Sequence, residues 1–325
     1  AVLPIHPIVP SPYTLLSLVP TNTTHYTTID LKDAFFTIPL HPDSQNLFAF
    51  TWTNPDTFQS QLTWTILPQG FRDSPHFSGQ ALAQDLTSLD LSPSRLLQYV
   101  DDLLLCSPSL EDSQTHTITL LNFLANKAYG VSPSKAQLSP PTVTYLGVQL
   151  SPGAQAMTPA QATLINSLLL PSSKNEILSF LRLEGFFRIW IPNFALLAHP
   201  LYEAAKGPLS EPLSPSHNIL PGFCKLQTAL VTAPALSLPD LSQPFVLYTT
   251  KNQGIALGVL GQQKGNPPSF DPVAYLCKQL DNTVKGQPTC LKASSAVAVL
   301  PLESKKLTFG QSTTIHSPHN LQDLL

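Results

Sequence analysis

The sequence predicts an α+β protein of three units, and three observations carry that reading. Through residue 150 strand and helix signals run β, ββ, α, ββ, α, β, the pattern of a sheet with helices on one face. Between about 155 and 210 the apolar spacing turns helical behind two capping-box sequences, Thr158-Pro159-Ala160-Gln161 and Ser173-Lys174-Asn175-Glu176. From about Gln243 short strands return and lead into an alanine-rich helix, a separate α/β unit.

Each element has a local reason. Residues 1–29 hold no Lys or Arg and read as proline-punctuated extended chain ending in the β-branched run Tyr26-Thr27-Thr28-Ile29, which predicts a strand carrying Ile29 and Asp30. Alternating residues at 47–53 and 61–66 around Asn54-Pro55-Asp56 predict a β-hairpin. Ser74-Pro75 opens a helical pattern through Phe77, Ala81, Leu82 and Leu86, with Ser74 as N-cap and Pro75 as the first helical residue. The segment 96–106 has two apolar arms flanking Asp101 and Asp102, a hairpin with carboxylates at its bend. A helix over 113–127 and strands around 137–138 and 142–150 complete the first unit. In the last unit, strands are expected at 245–249, 255–260 and 273–275, and a helix at 291–300. The Pro/Ser-rich stretch 207–221 reads as a linker.

Composition narrows the function. The chain has 325 residues, long enough for two or three domains with real cores. Charged residues are 11%, where about 25% is usual. Proline, at 33 residues, is scattered between apolar runs, which indicates turns and not a disordered tail. Cys106, Cys224, Cys277 and Cys290 form no CxxC pair and no zinc-type cluster, so reduced structural thiols are expected. No run reaches the roughly 18 apolar residues of a membrane span, and the start lacks a signal-peptide pattern, so neither a membrane nor a secreted protein is expected. A start at Ala1 with a single methionine, Met157, predicts a segment of something longer. Residues 1–150 hold 5 Lys+Arg against 11 Asp+Glu, a charge of −6, and residues 151–325 hold 12 against 9, or +3. A nucleic-acid enzyme ordinarily leans towards the positive side.

The chemistry concentrates in Asp30, Asp101 and Asp102. Burying such neighbouring acids costs several kcal/mol unless something cationic joins them, and along the chain no Lys or Arg adjoins the Asp101-Asp102 pair. A divalent metal ion answers that need, and one or two carboxylates with water and substrate phosphates are what Mg²⁺ takes in polymerase-type sites. Taken alone, an Asp-Asp pair is more often a solvated turn.

Four ordered stretches decide between these: Ile29-Asp30-Leu31-Lys32-Asp33-Ala34-Phe35-Phe36, Leu67-Pro68-Gln69-Gly70-Phe71, Tyr99-Val100-Asp101-Asp102 and Tyr145-Leu146-Gly147. By these, and by 187–192, 230–236 and 272–276, nearly the whole chain resembles a retroviral-type reverse transcriptase, a pol polyprotein segment of the gammaretrovirus-like and endogenous retrovirus group. The resemblance implies part of the fingers and a right-hand polymerase palm, a ferredoxin-like sheet with helices on one face, over 1–150. It implies a helical thumb over 151–215, and an RNase H-like connection subdomain without catalytic acids over 216–325, where Tyr248-Thr249-Thr250 stands at the position of a catalytic Asp.

It further implies that Asp30, Asp101 and Asp102 hold two Mg²⁺ ions, or Mn²⁺ in their place, and drive attack of a primer 3′-hydroxyl on a deoxynucleoside triphosphate. Asp33, Ala34 and Phe35 would line the nucleotide pocket, with Phe35 as steric gate against a ribose 2′-hydroxyl; alone, Phe35 also suits a core. Gln69 would bond the nucleotide sugar region, or its own turn. Leu146, Gly147 and Val148 would form the primer grip, unless Gly147 is an ordinary strand glycine at a bulge. Lys135 corresponds to a family lysine after the second palm helix, near the nucleotide phosphates or the sheet edge, although a lone lysine is usually just solvated. The implied partners are an RNA or DNA template with primer, deoxynucleoside triphosphates, and RNase H and integrase domains of a longer precursor, in the cytoplasm or a virus-like particle.

The chain departs from the family in two places. The fingers Lys and Arg that clamp the triphosphate have no counterpart in residues 1–29, and Arg182 stands where the thumb usually has a small residue. Loss of positioned cations weakens phosphoryl transfer. The alternative is therefore a catalytically silent pol remnant that acts at most as a nucleic-acid or protein interaction module. An unrelated phosphoryl-transfer enzyme would want a phosphate loop such as GxxxxGK[ST], and the sequence has none.

Overall fold

The structure is a computed structural model that describes residues 11–55, 58–209, 212–213 and 219–318. It divides into two compact units between Tyr145 and Leu146, five residues before the expected boundary.

The first unit contains α1 (Pro12–Leu16), β1 (His25–Lys32), α2 (Pro42–Gln45), β2 (Ala49–Thr53), β3 (Gln59–Thr63), α3 (Ser74–Leu86), β4 (Arg95–Tyr99), β5 (Asp102–Ser107), α4 (Leu110–Asn126), β6 (Gly130–Val131) and β7 (Val143–Tyr145). The main sheet has the order β4-β5-β1-β6. Both β4 and β1 pair antiparallel with β5, so β5 and β1 are central. Alternation along β1 and β5 turns Ile29, Leu31 and Leu103 towards Leu82 of α3 and Leu120 and Leu124 of α4, one continuous core. The hydroxyls of Thr27 and Thr117 meet at 2.7 Å inside that interface. At its base Asp85 of α3 accepts hydrogen bonds from Lys127 Nζ and Tyr129 Oη, both at 2.8 Å, which tie the ends of α3 and α4 together and hold its carboxyl below the usual range.

Several expectations are corrected. Residues 12–16 are helical, not extended. Asp73, not Ser74, occupies the N-cap of α3, and Ser74 turns its hydroxyl back to donate to Pro68 O at 2.9 Å. The strand expected at 137–138 is a single bridge, Gln137 to Thr28. The strand expected over 142–150 is interrupted at Leu146 and Gly147. The expected hairpin is present as β2 and β3, although Asp56 of its turn, like much of the linker and all of residues 1–10, lies outside the described residues.

The second unit begins with β8 (Val148–Ser151) and β9 (Ala154–Ala156), followed by α5 (Pro159–Asn166), α6 (Lys174–Phe186), α7 (Phe194–Ala204) and α8 (Leu220–Val231). The capping box on α5 forms in full, Thr158 and Gln161 each bonding the other's backbone. At α6 the box is half made: Ser173 Oγ accepts from Glu176 N, but the Glu176 carboxylate turns to Ser172. Trp190, fully buried, donates from Nε1 to Gln155 O. Helix α8 packs on α5 and α7.

The remaining elements are β10 (Leu236–Ser237), β11 (Phe245–Asn252), β12 (Ile255–Lys264), β13 (Ser269–Gln279), α9 (Asn282–Lys285), α10 (Thr289–Thr308) and β14 (Thr313–His316). Their sheet has the order β13-β12-β11-β14: three antiparallel strands, then β14 parallel to β11 after the crossover helix α10. Gly258 lets that helix sit close, since a Cβ there would meet Leu300 Cδ1 at 3.1 Å. The sequence missed β14, whose Thr313-Thr314-Ile315-His316 is too short to show a period.

Leu124 is wholly buried between α4 and the sheet. Leu124→Ala is expected to cost about 3 kcal/mol through lost burial and a cavity, read as a lower urea midpoint; a loss under about 1 kcal/mol would show that this interface is loosely packed.

Candidate active site

The site stands at one end of the central strands. In the β1–β5 register Asp30 lies directly opposite Asp102, and Ile29 opposite Leu103. Directly opposed side chains share a face, so the two carboxylates point the same way, away from the helices. Asp101 follows in the two-residue turn between β4 and β5. Among the predicted residues, these three are the ones the structure brings together.

That turn is strained and held. Val100 has φ +55°, a left-handed conformation that a β-branched residue adopts at a cost of about 1–3 kcal/mol. Gln98 Nε2 donates to Val100 O and to Gly79 O, both at 2.9 Å, fastening the turn to α3. Leu31 N donates to Asp101 O at 3.1 Å, and Tyr145 Oη to Asp102 O at 3.1 Å. The carbonyls of Val100, Asp101 and Asp102 are thereby each held.

The electrostatics follow from this geometry. Asp102 is pushed up to about 6, chiefly by burial, with the charges of Asp101 and Asp30 adding and Lys135 opposing. Lys135 reaches Asp30 from a loop 105 residues away and donates to both carboxylate oxygens, at 3.2 and 3.1 Å. No cation adjoins the Asp101-Asp102 pair along the chain, but folding brings Lys135 to Asp30 opposite it. Beneath the site, burial pushes the Cys106 thiol up to about 12 and raises the Tyr145 phenol far above its usual value, so both stay protonated.

The other expected residues lie around this centre or apart from it. Asp33 has φ +54° and starts a single 3₁₀ turn, Ala34–Thr37, directly off β1. Ala34 is buried, Phe35 half-buried and Asp33 exposed. Gln69 is exposed at the rim of a separate cavity of about 720 Å³ lined by Leu40, Phe48, Trp64, Leu67 and Phe71. Leu146, Gly147 and Val148 open the second unit. Leu146 and Gly147 both have positive φ, +48° and +74°, the signature of a tight turn. Gly147 is required by that φ and not by close approach: a Cβ there would meet nothing nearer than Gln161 Nε2 at 3.4 Å. Gln161, singled out only as part of a capping box, also donates to Gly147 O at 2.8 Å.

Among the described residues no three His, Cys, Asp or Glu side chains form a ready metal cage. The donors present are hard carboxylate oxygens from two adjacent strands and their turn, which suits an ion that leaves most of its positions to water and substrate.

Comparison with known proteins decides the family. Residues 9–150 match the reverse transcriptase (RNA-dependent DNA polymerase) family, and residues 221–315 match the RNase H-like domain found in reverse transcriptase. The chain is 46% identical over 324 residues to the Gag-Pol polyproteins of Koala retrovirus and Gibbon ape leukemia virus and to the Pol polyprotein of Feline endogenous virus ECE1. The chain belongs to the retroviral reverse transcriptases.

The match covers 99% of this reverse transcriptase chain but only 19% of the two Gag-Pol polyproteins and 31% of the feline one. The foamy viral protease-reverse transcriptase shares the fold at 24% identity. Its complex with an RNA/DNA hybrid gives a TM-score of 0.85 over 98% of this chain and 42% of that one. Its complex with double-stranded DNA gives 0.86 over 99% and 65%. Members of this family work with divalent metal ions. No described helix is long and apolar enough to cross a membrane.

Two outcomes check the site. Because folded Asp102 holds its proton more tightly than an unfolded Asp near 3.9, folding is helped below about pH 4 and loses that help as pH rises through about 6. Asp102→Asn should therefore gain stability over the native chain between pH 4 and pH 7, by about 1 kcal/mol after solvent screening, measured as diverging Tm curves; parallel curves would contradict the elevated pKa. Gln161→Ala should lose about 1–2 kcal/mol, and Gln161→Glu, which keeps the bond to Thr158 N but cannot donate to Gly147 O, about half of that. Faster amide exchange at the start of α5 in the Ala variant alone would report the split, and equal exchange in both would refute it.

Proposed function

We propose that the chain is the polymerase portion of a retroviral pol protein, an RNA-directed DNA polymerase that extends a primer 3′-hydroxyl with deoxynucleotides on an RNA or DNA template. The observation that carries this reading is the Asp30–Asp102 pairing across the central strands with Asp101 in the adjoining strained turn. The complexes of the foamy viral enzyme with an RNA/DNA hybrid and with double-stranded DNA support a primer-template as partner.

In this reading Asp30, Asp101 and Asp102 hold two Mg²⁺ ions, with Mn²⁺ as a substitute. When bound, such ions supply charge stabilisation to the attacking and leaving oxygens of an in-line displacement. The chain's own groups supply position. Gln98, Leu31 and Tyr145 hold the backbone around the acids, so the carboxylates need little rearrangement during reaction. Asp33, Ala34 and Phe35 line the nucleotide pocket, the Phe35 ring excluding a 2′-hydroxyl; Gln69 serves the sugar side, and Leu146, Gly147 and Val148 grip the primer. Residues 151–215 act as thumb and 216–325 as connection. In that last part Tyr248 and Thr250 on β11 are exposed and Thr249 donates to His316 O, so no RNA-cleaving acid is assigned there.

One observation favours a silent interaction module instead: the 5 Lys+Arg against 11 Asp+Glu of residues 1–150, since duplex affinity comes largely from cations on phosphates. Primer extension with poly(rA)/oligo(dT), dTTP and Mg²⁺ separates the two. Extension by the native chain, reduced at least about 100-fold in Asp101→Asn/Asp102→Asn, is the expected result. No extension, either alone or fused to a basic upstream fingers segment, would select the interaction module.

A further inference from the structure

Lys135 is not a free surface lysine. Its loop is clasped to β1 on both sides: Ser132 N donates to Asp30 O at 2.9 Å, and Gln137 exchanges two backbone hydrogen bonds with Thr28, at 2.9 and 3.1 Å. Within the loop Lys135 N and Ala136 N both donate to Ser132 O at 3.2 Å, closing a turn. This backbone sets the ammonium over Asp30, where it bonds both oxygens. The side chain itself is 65% exposed against 28% for Asp30, so leaving the pair costs the ammonium little packing and returns it to water.

Both Asp30 oxygens thus carry a hydrogen bond from Lys135, and a divalent ion taking Asp30 as a ligand meets that ammonium as a competing positive charge. We propose that Lys135 is a resident counter-cation: it neutralises Asp30 opposite Asp102 while the site holds no divalent ion, and it gives up Asp30 when an ion arrives, setting how much free metal the site requires. This rests on the metal-binding reading of the acid trio. An ammonium on a flexible stem suits such an exchange, because it is compact, strongly hydrated once released, and bound here without burial.

Mn²⁺ binding to the whole chain, followed by electron paramagnetic resonance without nucleotide or primer, tests it. Native chain and Asp102→Asn are compared first, then Lys135→Gln and Lys135→Arg. Lys135→Gln should bind Mn²⁺ about two- to fivefold more tightly, the range of one exposed ion pair, and Lys135→Arg should stay near native. Without metal Lys135→Gln should melt below the native chain, and saturating Mn²⁺ should remove that difference. Mn²⁺ binding that Asp102→Asn abolishes but Lys135→Gln leaves unchanged or weakens would overturn the role of Lys135 alone. Absence of binding by the native chain, or binding indifferent to Asp102→Asn, would overturn the metal reading and this proposal with it.

Discussion

Two carboxylates facing each other across paired central strands are the constraint around which the first unit is arranged. Like charges directly opposed on a sheet repel, and here the strands that carry them are also the strands that carry the core. The alternation of β1 and β5 makes both facts unavoidable: Ile29, Leu31 and Leu103 must face α3 and α4, so Asp30 and Asp102 must face the other way, together. Slipping the register by one residue would relieve the repulsion and expose the core, so burial wins and the acids stay paired.

The rest of the site manages that repulsion. Asp102 responds by holding its proton more tightly, Asp30 by taking Lys135, and Asp101 by sitting in the turn, where its side chain is not locked into the ladder. The turn would relax if it could, since Val100 pays for a left-handed backbone without the freedom of glycine. Gln98, Leu31 and Tyr145 prevent it, each bonding a backbone carbonyl and none touching a carboxylate oxygen. Strain and repulsion are thus kept together at one sheet end and bonded from three directions.

Much of this was legible in the residues. The Asp-Asp pair between apolar arms showed the β4–β5 hairpin, and the β-branched run before Asp30 showed β1. The Thr158 box predicted α5 with both of its bonds. Local signals failed where a neighbour in space outbid them. Glu176 left Ser173 for the Ser172 amide and hydroxyl, and Ser74 turned from capping to the Pro68 carbonyl. Gln161 looked complete as a capping residue, and nothing in its local sequence disclosed a second bond to Gly147.

The sequence by itself determined the family, the mixed α and β class and most of the local elements, because motif identity, apolar period and capping chemistry are properties of short stretches. Tertiary structure alone decided what surrounds Asp30, Asp101 and Asp102. Lys135 lies 105 residues from Asp30, Tyr145 lies 43 from Asp102, and each bond depends on loops being fastened to β1 and β5. Electrostatic compensation acts over a few ångströms of space and is indifferent to distance along the chain, so a count of charges beside Asp101 and Asp102 could show that a cation was needed but not which one would come.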